Sequence, residues 1–378
     1  MDMPSSSGRE QRMKILFYGT RDYDRESFSK VMADYPDVEI EFTKTNLTWR
    51  TAILAKGYDA VCAFVNANIR DALTLEILAG FGIKLILMRC AGFDAVNIPM
   101  AKELGIRVCN VPAYSPEAIA EHAMALGLAA NRRIVKGYNR VRENNFDLNY
   151  LVGVTLKGRT AGIIGTGRIG AALCRICKGF GMKVIGADLG PVKALVDEGV
   201  VDEYVPVYDK DGNMVYDEKG NCLIEGVGFG DRRVSYDPLY AQADFISLHA
   251  FLNADSYHMI DDEAISKMKD KVIFVNTGRG GLVDTEALIR GILSGKIGAA
   301  GIDVYEEENE NVYKNRSGEV YETVTARLCS FPNVVVTSHQ AFFTEEALAE
   351  IARVTLQNAT AYAKGAPDSE YVFRSIVC

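Results

Sequence analysis

The segment Gly165-Thr166-Gly167-Arg168-Ile169-Gly170 follows a short apolar run and opens a helical pattern. A bare Gly-x-Gly-x-x-Gly is often only a turn, but here each glycine has a task. The first allows a tight turn. The second lets a pyrophosphate approach the backbone, and the third lets the helix pack on the strand. The helix start offers free N–H groups to phosphates. Asp188 stands at the end of the next apolar run, about the ~20 residues further on that this fingerprint requires. A carboxylate there accepts hydrogen bonds from ribose hydroxyls and repels a 2′-phosphate, so NAD is favoured over NADP.

Three more polar sites lie just beyond later strand patterns, the edge where parallel sheets bind ligands. Val275-Asn276-Thr277-Gly278-Arg279 places an Arg in a glycine-rich loop, with Asp284 and Thr285 as helix-cap candidates. Ile302-Asp303 leads into the acidic run Glu306-Glu307-Glu308, and Val336-Thr337-Ser338 ends in His339. Singly, these read as a surface Arg, a solvated acidic run and a capping His. Together they supply the parts for carbonyl reduction. Hydride addition leaves negative charge on oxygen, so a proton donor must be near, and His titrates close to neutrality. A carboxylate beside it stabilises the imidazolium. An Arg fork suits both a carboxylate and a polarised carbonyl, as at a 2-keto acid site.

Other candidates are weaker. Cys174-Arg-Ile-Cys177 is a CxxC inside the helix after the glycine loop, with no second Cys pair and no ligand-spaced His. No metal site is expected. His249 ends a strand pattern and is placed to flank the cofactor. His122 reads as a packed or hinge residue, and His258 has no evident partner.

Positioning these residues requires alternating short strands and helices. Strand patterns fall at 14–18, 60–65, 84–88, 160–164, 183–187, 245–248, 272–275, 299–302 and 334–336. The stretches between the first three read as helical. One long helix is expected from Ser115, with Pro116 at its first position, to about Asn144. A last helix runs from Thr344 to about Lys364 and is too short to make a core alone, so it should return to the first domain. The alternation implies an α/β protein with two doubly wound parallel-sheet domains. One segment, 207–233, breaks the pattern. Tyr208-Asp-Lys-Asp-Gly-Asn213 nearly repeats as Tyr216-Asp-Glu-Lys-Gly-Asn221, which reads as an inserted antiparallel meander. A calcium loop fits poorly, because Gly212 sits at the fourth place rather than the sixth.

Length and composition agree. A chain of 378 residues exceeds the usual roughly 100–200 per domain. Hydrophobic residues at 48% and charged residues at 24% describe a globular chain. The net charge of −8 argues against nucleic acid and membrane surfaces as partners. The acidity is concentrated in 202–237, with nine acids against four bases, and in 303–322, with seven against two. No apolar run approaches the ~20 residues of a membrane span, and 1–12 lacks a signal-peptide core. The eight Cys are therefore read as reduced thiols in the cytoplasm.

With these residues in place, the chain resembles the D-isomer-specific 2-hydroxyacid dehydrogenase family, closest to its fermentative NAD-dependent D-lactate branch. The likeness runs from about Lys14 to Ala361. Beyond the glycine motif it is carried by the segments 59–66, Arg89-Cys-Ala-Gly-Phe-Asp94, 112–122, Asn276-Thr-Gly-Arg-Gly280 and Ser338-His-Gln-Ala-Phe342. The resemblance implies a flavodoxin-like substrate domain, 1–113 plus 343–378, and a Rossmann NAD domain, 114–342, with a cleft between them. It implies that Arg279 binds and polarises the keto acid, that Glu308 pairs with His339, and that His339 is the acid–base residue. Ala91 and Gly92 would hold the substrate carboxylate, and Tyr114 would line the pocket. The cofactor set becomes 165–170, Asp188, His249, Thr277, Gly278 and Asp303. The implied reaction is reversible reduction of pyruvate to D-lactate by a homodimer or homotetramer. A sister enzyme for a bulkier 2-keto acid (2-ketoisocaproate, phenylpyruvate) and a non-catalytic NAD sensor are the alternatives. Two features depart from the family pattern: the meander, and Ala250-Phe251 after His249, where the family often has a Pro two residues on.

Overall fold

The computed structural model describes residues 12–65, 67–93, 95–306, 308, 324–372 and 375–378. The acidic stretch 309–322, with Asn66, Asp94 and Glu307, lies outside the described residues. Two compact units are formed, 1–115 with 343–378, and 116–342.

The first unit is a parallel five-stranded sheet. Its strands are β1 (Met13–Phe17), β2 (Val38–Phe42), β3 (Ala60–Ala63), β4 (Leu85–Met88) and β5 (Arg107–Cys109), in the order β2-β1-β3-β4-β5. β3 and β4 are buried along their whole length, as the centre of a two-sided parallel sheet must be. Val38-Glu-Ile-Glu-Phe42 falls where helix was expected and is a strand. Its alternating residues suit an edge with one packed face. The helix Glu345–Ala363, capped by the Thr344 hydroxyl on Ala347 N–H at 3.2 Å, packs on the helix Asp22–Val31.

The second unit holds β6 (Thr160–Ile164), β7 (Lys183–Ala187), β8 (Glu203–Tyr204), β9 (Val207–Asp209), β10 (Met214–Tyr216), β11 (Arg232–Val234), β12 (Phe245–Leu248), β13 (Val272–Asn276), β14 (Ile297–Ile302) and β15 (Val334–Val336). Seven strands make one parallel sheet, β15-β14-β13-β12-β6-β7-β8. Alternate residues feed two cores. Ile163, Val184, Phe245 and Ile273 join the helices Pro116–Asn131 and Arg168–Gly179 on one face. Ile164, Ile185, Ile246 and Phe274 join Leu239, Ala264 and Leu288 on the other. This is the period-two pattern of a doubly wound sheet.

The long helix expected to reach Asn144 is broken. It ends at Asn131, and a second helix runs Ile134–Arg142. Arg133 between them is left-handed, with φ +54°. Its guanidinium is spent on the carbonyls of Ala130, of Asn131 at 3.3 Å and of Gly298 at 2.9 Å, which fixes the break.

Strands β9–β11 form a separate antiparallel sheet, β10-β9-β11. The sequence repeat becomes two matching turns. Asp209 accepts from Asp211 and Asn213 N–H at 2.9 and 2.8 Å, and from Asn213 Nδ2 at 3.0 Å. Asp217 does the same with Lys219 and Asn221 at 2.9, 2.8 and 2.8 Å. Gly212 and Gly220 supply the positive φ, +87° and +71°. The repeated carboxylates thus serve their own turns.

Candidate active site

Strand register sets the site in the second unit. Ala187 pairs with Ile164, Leu248 with Ile164 and Asn276, Ile302 with Asn276, and Val336 with Ile302. Five strand ends and their neighbour β15 therefore form one row. The row continues one residue further through Gly165 N–H to Ala187 O (2.8 Å), His249 N–H to Ile164 O (2.7 Å), Asp303 N–H to Asn276 O (2.9 Å) and Thr337 N–H to Ile302 O (2.9 Å). Residues far apart in sequence leave the sheet along one edge.

The glycine loop has the space its motif requires. Gly165 has φ +89°, and a β carbon there would lie 2.6 Å from the His249 carbonyl. One on Gly170 would collide with the Gly165 carbonyl, so helix and strand can approach only without it. One on Gly167 would meet nothing within 4 Å, leaving room for a phosphate. Asp188 Oδ2 accepts from Thr166 N–H (2.6 Å) and Oγ1 (3.1 Å), and Oδ1 from Gly190 N–H (3.0 Å). Thr166 is held in turn by the Tyr204 hydroxyl at 3.1 Å. NAD fits these residues. The Thr277 hydroxyl is buried on the next loop without a hydrogen-bond partner among the described residues, a donor left for a ligand. His249 bonds Ser247 Oγ at 2.9 Å, and burial pushes its imidazole down to about 4.

Arg279 lies on a stapled loop. Asn276 Oδ1 accepts from Gly278 N–H at 3.0 Å, and Asn276 Nδ2 donates to Arg279 O at 3.0 Å. Gly280 packs so closely on the backbone of Tyr305 and Glu306 that a β carbon would collide there.

His339 Nδ1 lies 3.1 Å from Glu308 Oε1, with both side chains largely buried. Glu308 Oε2 is buried and accepts no hydrogen bond among the described residues. His339 has φ +50°. Its strained turn is held by Asp303, whose carboxylate accepts from Thr337 Oγ1, from Gln340 N–H and Ala341 N–H at 2.9 Å each, and from His122 at 3.5 Å. Burial alone would raise this carboxyl, but those donors outweigh it and hold Asp303 below the usual range. Asp303, which the family resemblance places at the cofactor, thus also has both oxygens on this turn. His122 bridges Asp303 and Thr337 Oγ1 (3.2 Å), a packed role.

His258 does have a partner. Its Nε2 lies 2.6 Å from Glu306 Oε1, while Glu306 Oε2 accepts from Thr285 N–H (3.2 Å) and Oγ1 (2.7 Å). His258 N–H also donates to Gly281 O at 2.8 Å, tying the loop after β12 to the Arg279 loop. Nothing local in sequence signals a pair separated by 48 positions. Cys174 and Cys177 are buried in their helix, and burial raises the Cys174 thiol to about 12, which leaves it protonated and packed.

In the first unit, Arg89 is buried against Asp24 (3.2 Å) and donates to the carbonyls of Tyr18 and Gly19 at 3.1 Å each. It anchors the loop that follows. There Ala91 O accepts from Asn110 Nδ2 at 2.6 Å, and Gly92 O from the Cys90 thiol at 3.1 Å. Tyr114 is half-buried after β5.

The model of the D-isomer specific 2-hydroxyacid dehydrogenase NAD-binding domain matches residues 124–207 and 214–341 and passes over the tip of the β9–β10 turn. A 2-hydroxyacid dehydrogenase homolog of Haemophilus influenzae is 43% identical over 92% of this chain and 95% of its own. The D-lactate dehydrogenase of Escherichia coli is 41% identical over 93% and 98%. The solved pyruvate reductase of Chlamydomonas reinhardtii is 36% identical, covers 96% and 99%, and superposes with a TM-score of 0.81. The chain belongs to the D-isomer specific 2-hydroxyacid dehydrogenase family. It is an NAD-dependent oxidoreductase with a Rossmann domain. Among the described residues, no helix is long and apolar enough to cross a membrane.

Proposed function

We propose that the protein is a cytoplasmic D-lactate dehydrogenase that reduces pyruvate reversibly. The observation that carries this reading is the His339–Glu308 pair on the strand-end row that also presents Asp188 and the Arg279 loop. When bound, NADH supplies hydride to the keto carbon. The loop 165–170 would hold its pyrophosphate and Asp188 a ribose, and His249, Thr277 and Gly278 would complete the cofactor site. Arg279 neutralises the substrate carboxylate and polarises the carbonyl. His339 gives its proton to the keto oxygen, and Glu308 stabilises the imidazolium and fixes the ring. Asp303 acts on His339 through the turn. Ala91, Gly92 and Tyr114 are assigned to the substrate.

The test is NADH oxidation with pyruvate, 2-ketoisocaproate and phenylpyruvate, with chiral analysis of the product. Pyruvate should give the highest kcat/KM and D-lactate as product. A higher value for a branched or aromatic acid would move the assignment to that substrate class. Oxidation with none would end the D-lactate dehydrogenase reading. His339→Gln should lower turnover by ~10²–10⁴, the usual share of a general acid. We further propose a homo-oligomer. The helix Ile134–Arg142 exposes Ile134, Tyr138 and Val141, and the following segment exposes Phe146, Leu148, Tyr150 and Val152, the last at 85%. A patch of that kind marks an interface. Sedimentation of Leu148→Asp should show a smaller species than the unaltered chain.

A further inference from the structure

The inserted strands take no part in the chemistry derived so far, yet they touch the turn that carries Asp188. Arg232, in β11, donates from Nη1 to Leu189 O at 3.0 Å. Its Nε and Nη2 donate to Val227 O at 3.0 and 2.8 Å. The guanidinium lies over the Phe229 ring at 4.3 Å and the Tyr216 ring at 5.2 Å. Gly190 faces the same group, since a β carbon there would sit 3.4 Å from the Phe229 ring and 3.7 Å from Arg232 Nη1. The insertion also meets the sheet at Tyr204, whose N–H donates to Glu218 O at 2.8 Å.

The Leu189 carbonyl and the Gly190 N–H belong to one planar peptide group. Arg232 holds the carbonyl end, and the N–H end holds Asp188 Oδ1 at 3.0 Å. Fixing one end aims the other. We propose that Arg232 is a positioning residue for the adenosine half of the cofactor, setting the Leu189–Gly190 peptide plane and through it the Asp188 carboxylate that receives the ribose hydroxyls. The proposal rests on Asp188 as the ribose acceptor. An Arg beside this carboxylate could instead admit a 2′-phosphate. The geometry favours positioning, because Nε, Nη1 and Nη2 all donate to backbone carbonyls and the guanidinium also lies over the Phe229 and Tyr216 rings.

The test separates the two halves of the cofactor. Full-length Arg232→Ala, Arg232→Lys and Phe229→Ala are titrated with NADH, with ADP-ribose and with reduced nicotinamide mononucleotide. Phe229 is 64% exposed, so its removal spares the fold. Arg232→Ala should weaken NADH and ADP-ribose about tenfold, the scale of one lost hydrogen bond, and leave the mononucleotide unchanged. KM for NADH should rise while kcat at saturating NADH holds. Arg232→Lys, which keeps one donor, should recover part of the loss, and Phe229→Ala should shift the same readouts by less. Affinities within twofold of the unaltered chain would overturn the proposal. So would equal weakening of all three ligands, or, with NADPH titrated beside them, a loss confined to NADPH. Asp188→Ala is the control for the underlying reading: ADP-ribose binding untouched by it would remove the ribose contact itself, whatever Arg232 does.

Discussion

The backbone carbonyl of Asp303 accepts the N–H of His339 at 2.8 Å, and the Asp303 carboxylate accepts the next two backbone N–H groups at 2.9 Å each. One residue at the end of β14 thus governs the backbone that presents His339, the proposed acid–base residue, at the end of β15. The left-handed His339 is kept there by neighbouring structure, not by its own preference.

Asp303→Asn keeps the side-chain size but leaves a single acceptor oxygen for the N–H groups of Gln340 and Ala341. Stability should fall by about 1–3 kcal/mol, the cost of stranding a buried donor, as read by urea unfolding. Turnover should fall more than KM rises, because the change acts on the ring's orientation. Unchanged unfolding and kinetics would show that the turn holds itself.

Glu308 and His339 should behave as one unit. Glu308→Gln should reduce kcat, and the double variant with His339→Gln should be no slower than His339→Gln alone. Multiplying losses would mean that the carboxylate acts on the substrate independently.

The His258–Glu306 pair predicts a second, milder effect. Glu306→Gln weakens the ties to His258 and to the Thr285 N–H and hydroxyl, all of which brace the Arg279 loop. KM for the keto acid should rise with kcat less affected, and His258→Asn should act in the same direction. Equal kinetics in both variants would confine this pair to a surface role.

His249 gives a pH dependence. Burial lowers its pKa to about 4, whereas in the unfolded chain it takes a proton near ~6.5. Between these values the unfolded state binds more protons, so stability declines as pH falls. The slope reaches at most about 1.4 kcal/mol per pH unit, and the contribution is complete above the upper value. His249→Gln should flatten this part of the stability curve. A curve of unchanged slope would assign the acid sensitivity elsewhere.

Most of the second sheet was legible because its strands are short, mainly apolar runs set between segments of helical pattern. β6, β7, β12 and β15 run as the pattern indicates. β2 was not, because alternating Glu residues hide a half-buried edge strand. The helix break at Arg133 was not legible either, since it depends on a contact with Gly298, 165 positions away. In the site, residues within one motif were readable, as with the loop from Gly165 to Gly170. The Glu306–His258 and Arg232–Leu189 links, which only folding brings together, were not.

The place of the insertion has a consequence for how this chain tolerates added length. β8 is the outermost strand of its sheet, so residues added after it push against no inner neighbour. A slip of one residue in β13 or β14 would turn every side chain over and carry Arg279 or Asp303 off the common edge. The Asp209–Asn213 turn, by contrast, closes on itself through its own hydrogen bonds, so a peptide tag or a whole guest domain spliced between Lys210 and Gly212 would leave the spacing of the reactive groups intact.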